Sequence, residues 1–409
     1  MALNGNGRAV QDLTRSWRQW LYLRCLPKLP SRVERYVQDF LSRNAVHHAC
    51  RRLGGEAISC RRRVMLVTND LSRSGAPQLV YQMALLQQRI GAHPVVVSPL
   101  SGPMMADFRQ AGIPVIVSPR PGAWARNLCR MAPVFDAAIC NTVDTADAVH
   151  LLAPILPTLW YLHEISLIEE RLEHPAVTLS MQAAQRVWAG SPPCANLVKS
   201  LRPDVEVVPY GLTPLPEYPR HQGGPFRIGV FGSIEKRKGQ DLVLDATILL
   251  PENVRSGIEI IFFGRALDQN LGHLISDAAN NDPIVFYHQE LDRKAYIDKM
   301  NKVDAVLVSS RDDTLPLVSL DALGIGKILL LAPTVGTKEW LTDGTDCIIG
   351  KETTAQGMAD LIERGYLARN SGRYFNKAAK ASFKNNFSLS GFNDRLEDAL
   401  NKIAGPTSA

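Results

Sequence analysis

The chain has 409 residues, of which 45% are hydrophobic and 21% charged, enough for two domains with full cores and too apolar for a disordered polypeptide. Its formal net charge of +6 is unevenly spread: residues 1 to 63 hold 13 Arg and Lys against 4 Asp and Glu, and the remainder carries a small net negative charge. Seven cysteines (Cys25, Cys50, Cys60, Cys129, Cys140, Cys194 and Cys347) are odd in number, scattered and without a C-x-x-C pair, which argues against a zinc site or a disulfide framework and for a reduced, cytoplasmic compartment.

At the start of the chain, Leu13, Trp17, Trp20 and Leu21 recur at i, i+4, i+7 and i+8, one face of a helix, while Arg15 and Arg18 point elsewhere. After the breaker LPKLPS, Val33, Val37, Phe40 and Leu41 repeat the pattern. Two readings stay open for residues 11–52: the arginine-rich helices lie on an anionic membrane face, or their stripes pack on the body of the protein or on a twin subunit in a homodimer. Nucleic acid is not an expected partner, since the basic residues are not interleaved with a binding motif. No apolar run reaches the ~18 residues of a membrane span, and Arg24 and Pro27 interrupt WLYLRCLP, so no signal peptide is expected. The expected location is cytoplasmic, with the basic segment offering a peripheral contact to the membrane.

From residue 64 the apolar runs VMLVT, PVVVS, PVIVS, AAIC, TLWYL, RVWAG and VEVVPY alternate with amphipathic stretches, the rhythm of βαβ units and a parallel sheet. The Pro- and Gly-rich stretch YGLTPLPEYPRHQGGP, residues 210 to 225, reads as a linker. Beyond it the rhythm restarts with RIGVF, IEIIFF, IVFY, AVLVS, ILLLA and CIIG. The fold class is therefore α/β, two doubly wound domains facing one cleft.

Within the second half, SSRDDTLPLVSLDALGIGK sets Asp313 and Asp321 on either side of an apolar turn that opens a short helix. Asp313 falls on the loop after a buried strand, where open α/β sheets bind ligands, and the helix start offers free N–H groups to an anion. The segment resembles the signature of retaining nucleotide-sugar glycosyltransferases of the GT-B type, with Asp313 and Asp321 at the two Glu positions, Ala322, Leu323, Gly326 and Lys327 continuing the pattern, and Glu339, Asp343 and Gly344 following in register. Residues 227 to 247 are similar to that family's strand, loop and Lys-Gly helix start, with Lys238 and Gly239 at the Lys-Gly. Residues 64 to 84 resemble its first strand and glycine loop, and His163 with Glu164 falls where many members carry an acceptor-side His.

The resemblance implies a GT-B fold with a basic helical extension over residues 1–60, an acceptor domain over 61–212, a nucleotide-sugar donor domain over 213–386 and a C-terminal helix over 387–409 crossing back to the first domain. It implies transfer of a sugar from a nucleoside diphosphate sugar to a glycan or lipid-linked acceptor with retention of configuration, in cell-surface polysaccharide or glycolipid synthesis. Lys238, Asp313 and His163 take the catalytic positions. Gly232, Ser233, Arg237, Gly264, Leu317, Val318 and Asp321 take the donor-binding ones, and Gly75, Ala76 and Glu164 the acceptor side. No cofactor or metal is expected, because the D-x-D motif of the other glycosyltransferase fold is absent.

Three departures matter. The family's Arg five positions before the Lys is Ser233 here, so the leaving diphosphate lacks a cation unless Lys236 or Arg237 supplies it. Both acidic residues are one methylene shorter than glutamate, and Pro316, which has no N–H, stands at the turn's usual Gly, leaving Leu317 and Val318 as backbone donors. These departures motivate a non-catalytic glycan-binding or scaffold protein as a rival reading. A nucleotide-sugar epimerase or hydrolase on the same architecture is the other, since fold alone does not fix the reaction.

Overall fold

The computed structural model describes residues 31–54, 62–120, 122–218, 223–372 and 375–406; the stripe of Leu13, Trp17, Trp20 and Leu21 lies outside them. Seven strands, β1 (Arg63–Val67), β2 (His93–Ser98), β3 (Val115–Val117), β4 (Ala137–Asn141), β5 (Thr158–Leu162), β6 (Arg186–Ala189) and β7 (Glu206–Val207), form one parallel sheet in the order β3-β2-β1-β4-β5-β6-β7. Six more, β8 (Phe226–Phe231), β9 (Ile258–Phe263), β10 (Val285–His288), β11 (Ala305–Val308), β12 (Ile328–Leu331) and β13 (Ile348–Ile349), form a second parallel sheet in the order β10-β9-β8-β11-β12-β13. Every apolar run picked out above is a strand. Helices cover both faces of these sheets, so central strands such as β4, β5 and β11 are buried along their whole length, and such strands read as continuous apolar runs rather than alternating ones.

Winding reverses between β1 and β4 in the first sheet and between β8 and β11 in the second. At such a switch point the loops after the two strands diverge and leave a crevice at the carboxyl edge. The loops after β1, β4, β8 and β11 therefore define where a ligand fits.

The helix Ser31–Gly54 packs on the first domain through Leu41, Val46 and Leu53, all buried. Asn127 Nδ2 donates to Ser42 Oγ at 3.1 Å, and Arg126 pairs with Asp39 at 2.6 Å, tying it to the helix Gly122–Met131. The stripe expected from Val33 to Leu41 is split: Leu41 joins the core while Phe40 is 58% exposed. The buried face continues instead through Val46 and Leu53, leaving His47, His48, Arg51 and Arg52 exposed. Among the described residues no helix is long and apolar enough to cross a membrane.

The last helix, Leu389–Ala404, lies on the first domain although it follows the second in sequence. Phe392 is buried beside the rings of Tyr161 and Trp188, with centroids 6.2 and 6.3 Å away. Where the chain passes from one domain to the other, Leu212 N–H donates to the Phe387 carbonyl at 2.9 Å and Leu389 N–H donates back to Leu212 at 3.1 Å.

Candidate functional site

The second domain's crevice begins where β8 ends. Gly232 follows with φ +139°, and Gly264, at the end of neighbouring β9, has φ +156°. A Cβ on Gly264 would stand 1.8 Å from the Gly232 carbonyl oxygen, so only glycine lets the two strand ends approach this closely. On Gly232 itself a Cβ would meet nothing within 4 Å, and the turn faces open space.

Ser233 Oγ donates to Glu235 Oε1 at 2.8 Å, and Arg237 Nη2 donates to the same oxygen at 3.2 Å. The Arg237 fork is further aimed by Nη1, which donates to the Asp312 carbonyl at 3.0 Å and lies 3.8 Å from Asp313 Oδ2. Lys236 turns the other way: it is 74% exposed and paired with Asp241 at 2.7 Å, which Arg311 also grips through two N–H groups. Burial opposes charge on Asp241, yet Arg311 and Lys236 together hold its carboxyl down at about 2. Of the two cations available to replace the missing arginine, Arg237 is the one at the crevice.

Lys238 does not open the following helix. Residues Lys236–Lys238 make a single 3₁₀ turn, Gly239 takes a left-handed conformation with φ +69°, and the helix Gln240–Leu249 begins after it. The left-handed residue is imposed by contact, since a Cβ on Gly239 would lie 2.1 Å from the Ser309 carbonyl oxygen. Ser309 Oγ donates to the Lys238 carbonyl at 2.8 Å and Arg311 N–H to the Arg237 carbonyl at 2.8 Å, stapling this turn to the loop after β11. That staple carries Lys238 Nζ onto Asp313 Oδ2, to which it donates. Ser310 Oγ lies 3.4 Å from the same oxygen, and the Asp313 carbonyl accepts from Gly336 N–H at 2.8 Å.

The helix Leu317–Gly324 starts behind Pro316. The amides of Leu317 and Val318 fall in its first turn, where N–H groups have no intrahelical acceptor. One turn on, Asp321 is 5% exposed and accepts from Tyr296 Oη at 2.7 Å. Burial pushes its carboxyl up to about 6, against the opposing pull of Tyr296 and Arg293. Asp321 is thus a covered carboxylate with one oxygen engaged. Tyr296 itself packs edge-on to Phe231, which stacks on Phe263 at 4.4 Å.

In the first domain Gly75 opens the helix Gly75–Arg89, with nothing within 4 Å of a Cβ placed on it. The next carbonyl, of Ala76, accepts from Asn141 Nδ2 at 3.1 Å, and Asn141 Oδ1 lies 2.9 Å from His163 Nε2. Glu164 Oε2 accepts from the His163 N–H at 3.0 Å. Two residues after Glu164, Ser166 N–H donates to Asp312 Oδ2 at 3.1 Å, and Ser166 Oγ donates to the same oxygen, a direct bridge between the domains beside Asp313.

The fold therefore gathers two groups. Lys238, Arg237, Asp313, Ser233, Gly232 and Gly264 meet at the second crevice, while Ala76, His163 and Glu164 meet at the first; Asp321 stands back beneath its helix with Tyr296. Sequence reasoning passed over Asn141, Tyr296, Glu235, Ser166 and Asp312. Asp312 adjoins the motif, and Asn141 ends the apolar run AAIC at the ligand edge of the sheet, which were usable signals; Tyr296 had none. Chemically, the second crevice offers two cations and first-turn amides to a dianion, and one carboxylate that accepts from hydroxyls when not holding Lys238.

Residues 216–382 match the family model described as glycosyl transferases group 1. No curated protein matches the sequence. Among solved structures, Anabaena Alr3699/HepE in complex with UDP and glucose superposes with a TM-score of 0.72 at 18% identity, covering 84% of this chain and 100% of its own. Sucrose-phosphate synthase from Thermosynechococcus elongatus gives 0.69 at 13% identity, covering 84% of this chain and 99% of its own. WaaG, a glycosyltransferase involved in lipopolysaccharide biosynthesis, gives 0.62 at 14% identity, with 84% and 100% covered.

Proposed function

We propose that this chain, whose residues 216–382 match the glycosyl transferases group 1, is a nucleotide-sugar glycosyltransferase that moves a hexose or related sugar from a nucleoside diphosphate to a glycan or lipid-linked acceptor with retention of configuration. The observation that carries this reading is the meeting of Lys238 and Arg237 over Asp313 at the mouth of the second sheet. There the two cations and the amides of Leu317 and Val318 receive the diphosphate and stabilise it as it leaves, so leaving-group stabilisation takes the place of a metal. Asp313, released from Lys238, accepts from the hydroxyls of the sugar, and Tyr296 with Asp321 meets the ribose. His163 contacts the sugar from the first domain.

UDP and glucose in the HepE structure support a pyrimidine diphosphate donor, and the role of WaaG in lipopolysaccharide biosynthesis supports a cell-surface glycan as product. The exposed His47, His48, Arg51 and Arg52, with Phe40 beside them, support a peripheral seat on an anionic leaflet. The test is a melting-temperature screen of the full chain against UDP-, GDP- and ADP-sugars, followed by turnover with and without an oligosaccharide or lipid-linked acceptor. One donor raising the melting temperature and being consumed only with acceptor is the expected result; consumption without acceptor would instead indicate a hydrolase or epimerase. A non-catalytic reading is favoured by one observation, that Lys238 is already neutralised by Asp313, and stabilisation by no nucleotide at all would select it.

A further inference from the structure

Asn141 closes β4 at the first switch point and is fully buried, yet its amide touches two separate loops. Nδ2 donates to the carbonyl of Ala76, a group that only accepts, and this fixes which end of the amide is nitrogen. Oδ1 therefore faces His163 Nε2 at 2.9 Å, and a hydrogen bond across that gap requires the proton to sit on Nε2. In the neutral ring Nδ1 is then the acceptor.

The backbone is set up to hold this amide in place. Thr142, the next residue, has φ +80° and ψ 158°, and is the one non-glycine residue with positive φ among those described. That region is costly for a residue with a branched side chain, on the order of 1–3 kcal/mol, and persists only where the surroundings over-determine it. Here Thr142 N–H donates to Tyr161 at 2.9 Å, while its carbonyl accepts from Trp160 Nε1 and from Thr145 Oγ1, both at 2.8 Å. The His163 ring is confined in turn: it lies edge-on to Tyr161 at 5.8 Å, and a Cβ on Gly190 would come within 3.1 Å of its own Cβ.

We propose that Asn141 is a positioning residue for sugar transfer: it holds His163 in the Nε2–H tautomer, leaving Nδ1 to accept from a sugar hydroxyl, and ties the ring to the Gly75–Ala76 loop so that both face the substrate as one unit. The inference rests on the reading of His163 as a sugar contact, and a spectroscopic measurement separates the two.

In ¹⁵N-histidine-labelled protein at pH 8, with the His163 signals assigned by difference from His163→Gln, wild type shows Nε2 protonated and Nδ1 bare. Asn141→Ala shifts His163 to a mixture of tautomers and lowers kcat by about tenfold while leaving KM for the donor within about twofold. Asn141→Asp keeps an acceptor for Nε2–H but loses the donor to Ala76, so Nε2 stays protonated; this variant is decisive if the alanine variant does not fold. A bare Nε2 in wild type, an unchanged tautomer in Asn141→Ala, or loss of the Nε2 proton in Asn141→Asp overturns the proposal. If the tautomer responds as stated but His163→Gln turns over like wild type, Asn141 still orients the ring and the sugar contact assigned to His163 is what fails.

Discussion

A carboxylate one methylene shorter than glutamate is not simply a weaker copy of it. Asp321 is buried on its helix, and its carboxylate accepts from the phenol of Tyr296. Because burial raises its pKa to about 6, the folded protein keeps a proton that the unfolded chain releases near pH 4. This group's contribution to stability is therefore complete below about pH 4 and is lost as pH rises through 6. Asp321→Asn retains the acceptor for Tyr296 without the charge, so it should raise the melting temperature above pH 6, by an amount equivalent to about 2–3 kcal/mol at most, with the gain vanishing towards pH 4. A melting series from pH 4 to 8 on both proteins checks this; an offset independent of pH would contradict it. The same residue shows what a sequence hides. The motif makes Asp321 visible, but Tyr296 lies 25 positions away on another helix, and Asn141 finds its partners 65 and 22 positions away. Such contacts exist only once the sheets are wound, and no local pattern encodes them.

At the level of elements, the strands were legible because a strand covered on both faces has no polar alternation to blur it. The turn after β8 was less so. KRKG reads as a helix start, but whether the helix begins at Lys238 or after Gly239 depends on how near the loop after β11 approaches, and Ser309 approaches closely enough to require glycine. Gly239→Ala tests that contact. It adds left-handed strain of about 1–2 kcal/mol to a clash with backbone, and should lower stability by roughly 2–4 kcal/mol in urea unfolding while displacing Lys238 from Asp313. A variant as stable as wild type would show that the two loops are not in contact in solution. The split stripe of the helix Ser31–Gly54 has a similar origin: periodicity tells that one face is buried, but the packing selects Leu41, Val46 and Leu53 over Phe40, with Val46 and Leu53 in one cluster with Trp124 and Leu128 of the helix Gly122–Met131.

Across the whole molecule, the two domains share more than a linker. Ser166 meets Asp312 beside the site, and the final helix returns to the first domain, where Gln87 Nε2 donates to Glu397 at 2.6 Å and Arg62 Nη2 to Asn401 at 2.7 Å. Any opening of the cleft must bend the chain near Leu212 and Ser388, the pair at which it crosses. Phe392 is the apolar anchor of that return, fully buried between Tyr161 and Trp188. Phe392→Ala should cost about 3–5 kcal/mol, and calorimetry should show the loss in the unfolding of the first domain although the residue lies in the chain's last segment. A loss confined to the second domain would contradict the packing.

The proposed sugar transfer requires that Lys238 and its neighbours receive a diphosphate. Isothermal titration of UDP, GDP and ADP into wild type and Lys238→Ala measures this most directly. One of the three nucleotides should bind wild type and lose at least about tenfold in affinity in the variant, the cost of removing a charge-assisted contact. Binding of equal strength to both proteins, or no binding to wild type, would contradict it.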